Sequence, residues 1–463
     1  MPPSLALFIS LLFVIVLIRR DPARYPEVSA AMWLPLIYML ILSSRLPSQW
    51  LGITATTFME ATQEGNWLDR LIYLLLTLLS FIVLKSRPVR WSELIRGNAS
   101  LVALIALGFL SIAWSDFPFI SMKRWIRDFG GYLMIVVVMS ETDPLKAVET
   151  VIRRLCYLLI PLSIVFIKYF PFLGRGYDNW TGMAYYTGVT NNKNLLGVLC
   201  VISGLFFFWD ILKRWSVRKE TNTRRVILVD LFFIAMTLWL MQQARSATSN
   251  LCLFVGCTII ALSHSSSVRR NPAKLKILIP LALSAYFILD FVFDIRQAIA
   301  DLVGRDVSFT GRTELWDYLK TVKINALLGT GYESFWLGTR LQQATAIFTW
   351  GPNQAHNGYL EMYLNLGILG LSILGIFLIA SYRRICRGLT TAPNTAFLCL
   401  TLWTMLLLYD ITESAFKIHM LWFTFLLLNT SLSLVKQPGG ASAKAETRNP
   451  KRFPRLEVSR RYS

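Results

Sequence analysis

The chain has 463 residues, of which 54% are apolar and only 16% are charged, and its mean hydropathy is +0.50. Soluble domains carry about 25% charged residues, so this composition excludes an ordinary water-soluble protein and indicates an integral membrane protein. The excess of 47 Lys and Arg over 27 Asp and Glu would suit nucleic-acid binding. Cations in short loops between membrane spans set orientation instead, so we expect membrane lipids, and no nucleic acid, as partners.

The first apolar run, Leu5 to Ile18, is followed by Arg19 and Arg20 and not by a small-residue cleavage site. This pattern predicts a retained membrane helix and no signal peptide. Of the six cysteines, five lie inside apolar runs, and no CxxC pair occurs. The sequence therefore predicts neither a disulfide framework nor a zinc site.

Apolar runs long enough to cross a bilayer predict an all-α integral membrane protein with twelve or thirteen transmembrane helices. The first and fifth runs are short, so twelve or fourteen spans stay open beside the thirteen counted. The predicted spans are 3–18, 28–43, 68–84, 99–114, 129–140, 155–170, 194–212, 226–242, 249–264, 277–293, 357–380, 394–409 and 418–435.

The loops richest in Lys and Arg all fall on one side of these spans. With the loop after span one placed in the cytoplasm, that side and the tail hold 31 of the 47 cations. Because cytoplasmic loops carry the excess of Lys and Arg, we predict an N-terminus outside the cytoplasm and a cytoplasmic C-terminus. The basic tail, 436–463, has no apolar period and is predicted to be disordered.

The predicted organisation has four parts. Spans one to ten occupy 1–293, a large periplasmic loop occupies 294–356, spans eleven to thirteen occupy 357–435, and the tail follows. A loop of this length needs structure of its own or a function.

Two local patterns inside that loop predict structure. Leu315, Trp316, Leu319 and Val322 recur at helical spacing and predict a short surface helix over 313–324. The segment LGTGY, which begins at Leu328, predicts a turn that reverses the chain.

Ionisable residues cluster at the predicted outer ends of the spans, whereas the hydrocarbon mid-sections hold almost none. Because charge inside a bilayer is costly, this placement favours chemistry on a molecule presented at the outer leaflet. Arg matches phosphate oxygens with its planar fork, so the cationic face predicts an anionic substrate, with no metal site and no cofactor. Five outer segments stand out: 121–128 (SMKRWIRD), 188–197 (GVTNNKNLLG), 242–250 (QQARSATSN), 311–316 (GRTELW) and 356–361 (HNGYLE).

Each segment also has a purely structural interpretation. The Asn residues before span seven are good helix caps, Arg175 between two glycines suits an ordinary loop charge, and Glu314 suits a pair with Arg312. His356 is the exception, because Asn357 follows it and Glu361 lies one turn further on. That clustering favours a functional role for His356.

At these residues the chain resembles the bacterial O-antigen ligase superfamily, which also contains polysaccharide polymerases. The signature begins with His356-Asn357, continues after nine residues with Gly367, and ends after two more residues with Gly370. Three further segments are similar to the companion motifs of this superfamily: TNNKNLLG at 190–197, ARSA at 244–247 and GRTELW at 311–316. MWLPL at 32–36 and the later SSR with Trp50 resemble the subgroup linked to exopolysaccharide production.

The resemblance implies an inverting, metal-independent glycosyltransferase of the bacterial inner membrane, whose periplasmic outer loop covers the site. Its donor would be a glycan on a polyprenyl diphosphate, and its acceptor either lipid A core sugar or another lipid-linked repeat unit. The implied catalytic residues are His356, Arg312 and Arg245. The substrate-binding candidates are Lys193, Asn192, Arg124, Arg175, Asn357, Glu361 and Glu314. The family is often described with twelve spans, one fewer than the thirteen counted here, and span one is the additional helix.

Several alternatives stay open at this point. His356 is either the base for the attacking hydroxyl or a phosphate ligand. The exopolysaccharide-like N-terminal half favours a polymerase over an O-antigen ligase. A flippase for lipid-linked oligosaccharide has a similar number of spans but predicts a central cationic cavity. A scaffold that recruits polysaccharide-assembly proteins through the basic tail is the remaining class.

Overall fold

The computed structural model describes residues 1–20, 28–53, 65–177, 182, 184–271, 276–277, 279–281, 312–348 and 350–435. Within these ranges the chain is almost entirely helical. The helices are α1 Pro3–Arg19, α2 Trp33–Leu42, α3 Pro47–Trp50, α4 Trp67–Lys85, α5 Trp91–Gly97, α6 Ala99–Leu110, α7 Pro118–Met139, α8 Pro144–Tyr169, α9 Pro171–Gly174, α10 Lys193–Arg214, α11 Thr221–Ala244, α12 Ala247–Ser263, α13 Ser266–Arg270, α14 Arg312–Thr321, α15 Gly338–Ile347, α16 Gly358–Thr391, α17 Pro393–Tyr409 and α18 Met420–Ser433.

Short elements complete the described fold. Single 3₁₀ turns cover Ala30–Met32, Ser111–Trp114 and Trp215–Val217. The strands β1 Arg175–Tyr177 and β2 Ala184–Tyr186 form an antiparallel hairpin in which Arg175 pairs with Tyr186.

Membrane-spanning capacity is present along the described chain, as the composition predicts. Five helices (α4, α8, α10, α11 and α16) are long and apolar enough to cross a bilayer, and α5 with α6 makes a sixth if that pair, bent by 86°, is one span. Shorter apolar helices lie at Pro3–Arg19, Ala30–Leu42, Ala247–Ser263, Pro393–Tyr409 and Met420–Ser433. The protein is therefore an all-α, multi-pass membrane protein.

The exact number of spans stays a prediction. Most of the tenth predicted span, 277–293, lies outside the described residues, as do 294–311 of the predicted loop and the tail 436–463. The fifth predicted span, 129–140, is the second half of a longer helix, α7, that starts at Pro118.

Several loops that the cation count assigns to the cytoplasmic side contact one another or a neighbouring helix end in the described bundle. Arg87 Nη1 lies 2.6 Å from Glu141 Oε1, and the same carboxylate accepts from Ser29 Oγ at 2.6 Å. Arg384 Nη1 donates to Asn98 Oδ1 at 2.7 Å, and Asn98 Nδ2 donates to the Ser433 hydroxyl at 3.2 Å. These contacts support the grouping of these loops at one end of the bundle.

The expectation of nearly charge-free mid-sections is wrong for α8, α10 and α11. Arg153 is fully buried and lies 2.8 Å from Asp210 Oδ2 and 3.1 Å from Asp230 Oδ1. The sequence interpretation placed Arg153 in a loop, whereas α8 already begins at Pro144. A buried charge of this kind is tolerated because opposite charges on neighbouring helices compensate it.

The long helix α16 is broken at Gly367, where φ is +64° and ψ is −163°. The amides of Ile368 and Leu369 donate to Ala326 and Leu327 carbonyls at 2.9 and 3.2 Å. In return, the carbonyls of Leu364 and Asn365, which those amides would bond in a continuous helix, accept from the amides of residues 330 and 331 at 3.1 and 2.9 Å. The predicted turn at 328–332 therefore repairs the break, so no backbone bond is lost there.

A small hydrophobic core holds the described part of the predicted outer loop together. Leu315 and Leu319 on one face of α14 are buried against Phe335, Trp336 and Leu341. The indole of Trp316 donates to the carbonyl of Ala355 at 2.7 Å. This core ties α14 and α15 to the segment that leads into α16.

Candidate active site

Three side chains from distant parts of the sequence meet at one end of the bundle. Glu413, in the connection between α17 and α18, accepts from Arg312 Nη2 at 2.6 Å through Oε1. Its Oε2 lies 3.1 Å from His356 Nδ1. Arg312 Nη1 also donates to the carbonyl of Thr412 at 2.5 Å. We call this group the Arg312–Glu413–His356 cluster.

The backbone around His356 is held in an uncommon conformation. Its φ is +48°, in the left-handed region that non-glycine residues rarely adopt. Asn357 fixes the start of α16, because its Oδ1 accepts from the Leu360 amide at 3.0 Å. The Ala355 amide donates to Glu361 Oε2 at 2.7 Å, and the Trp350 ring lies 5.6 Å from the imidazole. These contacts set the position of the His356 ring.

Electrostatics keep Glu413 ionised although only 7% of its surface is exposed. Burial raises the pKa of this carboxyl, but the hydrogen bond with His356 and the charge of Arg312 outweigh burial, so the pKa lies below its usual value. Asn194 Nδ2 adds a hydrogen bond of 2.7 Å. Since an ionised carboxylate only accepts hydrogen bonds, Nδ1 of His356 carries the proton, and Nε2 is free to accept one.

Two exposed cations lie at the same end. Arg245 ends α11 with φ +48°, and Lys193 begins α10. Neither has an ion pair with any residue in the described ranges. The Thr248 hydroxyl, three residues after Arg245, lies 3.0 Å from that of Thr412, and Asn194 follows Lys193 directly. Residues close in sequence to both cations therefore contact the connection that carries Glu413.

Close packing of α10 against α12 places these two helix starts side by side. A Cβ at Gly197 would overlap the Ser249 hydroxyl. Ser246 caps α12 through its side chain, and Asn192 caps α10 by accepting from the Leu195 amide at 2.8 Å. The capping interpretation of Asn192 is thus the one that the geometry supports, and the same holds for Asn357.

Other predicted site residues have structural partners instead. Arg175 donates to the Ile167 carbonyl at 3.0 Å and lies over the Tyr186 ring, so it holds the hairpin. Arg124 donates to the carbonyl of Glu333. Glu314 is exposed and does not pair with Arg312, because Arg312 binds Glu413; the interpretation of Glu314 as its partner is wrong.

Glu361 does not contact the His356 ring. Its buried carboxylate accepts from the Trp336 indole at 3.0 Å and from the Ala355 amide. It therefore fixes the backbone before His356, and Glu413 takes the orienting position on the imidazole.

Sequence reasoning missed Glu413. A signal exists in DITESAFK, 410–417, where two acids interrupt two long apolar runs. Asp410 shapes this connection, since its Oδ1 accepts from the amides of Ala415 and Phe416 at 2.6 and 3.1 Å. Burial raises the pKa of Asp410 well above its usual value.

These observations define the class of the protein: it is a multi-pass membrane protein with a polar cluster at one end of the helix bundle. Residues 230–375 match the family model described as O-antigen ligase, and this range contains Arg245, Arg312, His356 and Gly367. The exopolysaccharide production protein ExoQ of Rhizobium meliloti (strain 1021) is 23% identical over 293 residues, which is 61% of this chain. The match spans 64% of that relative's length. The chain is therefore similar to the O-antigen ligase and polysaccharide polymerase superfamily over this range.

Proposed function

We propose that this protein is an inverting glycosyltransferase that joins glycan units carried on a polyprenyl diphosphate. The observation that carries the proposal is the Arg312–Glu413–His356 cluster, with the exposed cations Arg245 and Lys193 at the ends of helices that reach the same end of the bundle. An imidazole oriented by a carboxylate is an arrangement suited to general-base catalysis. Exposed cations beside it suit an anionic leaving group.

In the proposed reaction an acceptor hydroxyl attacks the anomeric carbon from the face opposite the diphosphate. The bond between that carbon and the diphosphate oxygen breaks, and the hydroxyl proton passes to Nε2 of His356. General-base assistance of this kind contributes about 10²–10⁴ in rate. Glu413 stabilises the imidazolium that forms. The reaction inverts the anomeric configuration because attack and departure occur on opposite faces.

Charge balance assigns the diphosphate mainly to Arg245 and Lys193. Glu413 already compensates Arg312, to which it is bound at 2.6 Å, whereas the other two cations are exposed. Each well-placed cation is worth on the order of 10²–10³ in rate. Because side-chain cations would neutralise the leaving group, we propose that transfer requires no divalent metal.

We further propose that the cluster faces the periplasm of a bacterial inner membrane, with the C-terminus in the cytoplasm. The cation count supports this orientation. Chemistry there needs an activated donor, and the diphosphate linkage carries that energy with the substrate.

Polymerisation is the favoured form of the reaction. The name of the relative, an exopolysaccharide production protein, and the exopolysaccharide-like N-terminal motifs support it. Ligation of glycan to lipid A core is the second candidate, supported by the family description. Glycan analysis of a deletion strain separates them: loss of a polymerase leaves single-unit products, whereas loss of a ligase accumulates long lipid-linked chains.

Reconstitution of the purified protein with a lipid-diphosphate glycan, without metal or nucleotide, tests the proposal. We expect polymer from the wild type and at least a 100-fold loss of product from Arg312→Ala and from His356→Ala. His356→Gln should lose turnover far more than donor binding. Lys320→Ala, an exposed change on the same helix as Arg312, is the control. Near-normal product from Arg312→Ala or His356→Ala would contradict the mechanism.

A further inference from the structure

A cavity of about 60 Å³ lies beside the cluster and plays no part in the chemistry described above. It is enclosed by α6, α7, α16 and α18, by residues 332–333, and by the connection that follows Glu413. Ser414 and Gly358 line it, and these residues follow Glu413 and His356 by one and two positions. The cavity therefore lies against the segments that carry Glu413 and His356.

Three polar side chains in the cavity wall have no partner in the described parts of the chain. Ser414 is 5% exposed, and its hydroxyl makes no hydrogen bond. The Glu333 carboxylate and the Lys417 ammonium line the same space without an ion pair. Ser414 is the buried member of this set, whereas Glu333 and Lys417 are partly exposed. Buried polar groups in native proteins are almost always satisfied, so the unpaired Ser414 hydroxyl indicates a ligand that supplies the missing hydrogen bond.

The backbone conformation of Glu333 also indicates a functional site at this cavity. Among the described residues, three non-glycine residues have positive φ: Arg245, His356 and Glu333, the last at +49°. Strained conformations of this kind concentrate at functional sites. Arg124 donates to the Glu333 carbonyl and helps to hold the strained residue in place.

The chemistry of the wall selects the class of ligand. Of the three carboxylates in the wall, Asp128 is paired with Arg127 and Glu361 accepts from Trp336 and Ala355. The Glu333 carboxylate and the Lys417 ammonium therefore remain for a ligand, and a neutral polyol can bond to both. Carboxylate oxygens accept hydrogen bonds from hydroxyls. The aromatic side chains of Trp125 and Phe416 offer apolar surface for the C–H face of a sugar ring.

We propose that this cavity binds a terminal sugar of the glycan acceptor, with hydroxyls held by Glu333, Ser414 and Lys417. The inference rests on the proposed function, and it separates the two substrates by charge: the diphosphate of the donor binds the exposed cations, and the neutral acceptor sugar binds the carboxylate-lined cavity. The small volume suits part of one sugar ring and not a chain.

A binding experiment without donor tests this assignment independently of transfer. The probe is the lipid-free oligosaccharide released by mild acid from the host's polyprenyl-linked glycan fraction. Its binding to the full-length protein in detergent is measured by calorimetry. We expect binding to the wild type, at least tenfold weaker binding to Glu333→Gln and to Ser414→Ala, and unchanged binding to Arg245→Ala and to the exposed control Lys320→Ala.

Several outcomes would overturn the assignment. These are no sugar binding to the wild type, equal affinity in the cavity variants and the wild type, or binding of inorganic diphosphate that Lys417→Met removes. Glu333→Gln and Ser414→Ala are nearly isosteric, and thermal unfolding identifies a variant that fails to fold; the other then decides the test. If sugar binds as expected but no polymer forms on adding donor, the proposed transfer fails while the sugar site stands.

Discussion

Glu413 determines what the imidazole beside it is able to do. By accepting from Nδ1 of His356, it fixes the tautomer and leaves Nε2 available. The same carboxylate holds Arg312, so one buried charge orients both a base and a cation. A neutral residue of the same shape would keep the packing and lose this electrostatic function.

We therefore predict that Glu413→Gln lowers kcat by about 10²–10⁴ and leaves the KM for the donor nearly unchanged. The pKa of Glu413 lies below its usual value, so the stabilisation it provides is present above the unfolded-state pKa of about 4.3 and is lost as pH falls through the lower folded value. Glu413 therefore stays ionised from pH 5 to 8, and the loss of kcat in the variant should be present throughout that range.

Steady-state kinetics at saturating donor across that pH range measure this prediction. Thr321→Ala on α14 is the control, because the Thr321 hydroxyl forms a hydrogen bond only within its own helix, at 2.7 Å. Asn194→Asp is not a suitable control, because it adds a charge next to Glu413. Equal turnover of wild type and Glu413→Gln would remove Glu413 from the mechanism.

At the scale of the elements, the break in α16 explains why glycine occupies position 367. Its φ of +64° is unfavourable for any L side chain, and a Cβ there would overlap the Leu327 carbonyl. The signature spacing found in the sequence thus has a structural cause. The break lets the segment around Gly329 pair with α16 and ties the outer loop to the helix that follows His356.

Gly367→Ala should destabilise the protein by about 1–3 kcal/mol from backbone strain alone, with further loss from the steric overlap. Gly375→Ala is the matched control in the same helix, since a Cβ there meets nothing within 4 Å. A Gly→Ala change inside a helix, where the added methyl group meets no neighbouring atom, is expected to be neutral or to stabilise by up to about 1 kcal/mol. Thermal unfolding in detergent compares the two, and equal melting temperatures would contradict the role assigned to the break.

At the scale of the whole molecule, polar contacts divide between the two ends of the bundle. Arg87 with Glu141 and Arg384 with Asn98 lie at one end, and the Arg312–Glu413–His356 cluster lies at the other. Between them, Arg153 with its two aspartates links three helices. The cation count predicts that the first of these ends faces the cytoplasm.

Orientation is measurable with single cysteines introduced into a variant that lacks the six native ones. Lys320→Cys and Arg218→Cys both place an exposed thiol, on the proposed periplasmic and cytoplasmic sides respectively. We expect a membrane-impermeant maleimide to label Lys320→Cys in intact spheroplasts and Arg218→Cys only after lysis. The reverse pattern would invert the topology and place the cluster in the cytoplasm.

The sequence by itself determined the membrane class, the positions of most helices, the motif residues and the grouping of the loops. These properties follow from local apolar runs and from charge counts, which are readable without contacts. It also identified His356 and Arg312 as candidates through motif resemblance.

Only the tertiary structure decided which of the polar residues meet. Glu413 lies 101 positions from Arg312 and 57 from His356, so no local pattern joins them. Arg175, Arg124 and Glu361 look equally functional in sequence, yet they bind backbone or indole groups. The physical reason is that hydrogen bonds and ion pairs depend on distances of a few ångströms, which helix packing sets and the order of residues along the chain does not.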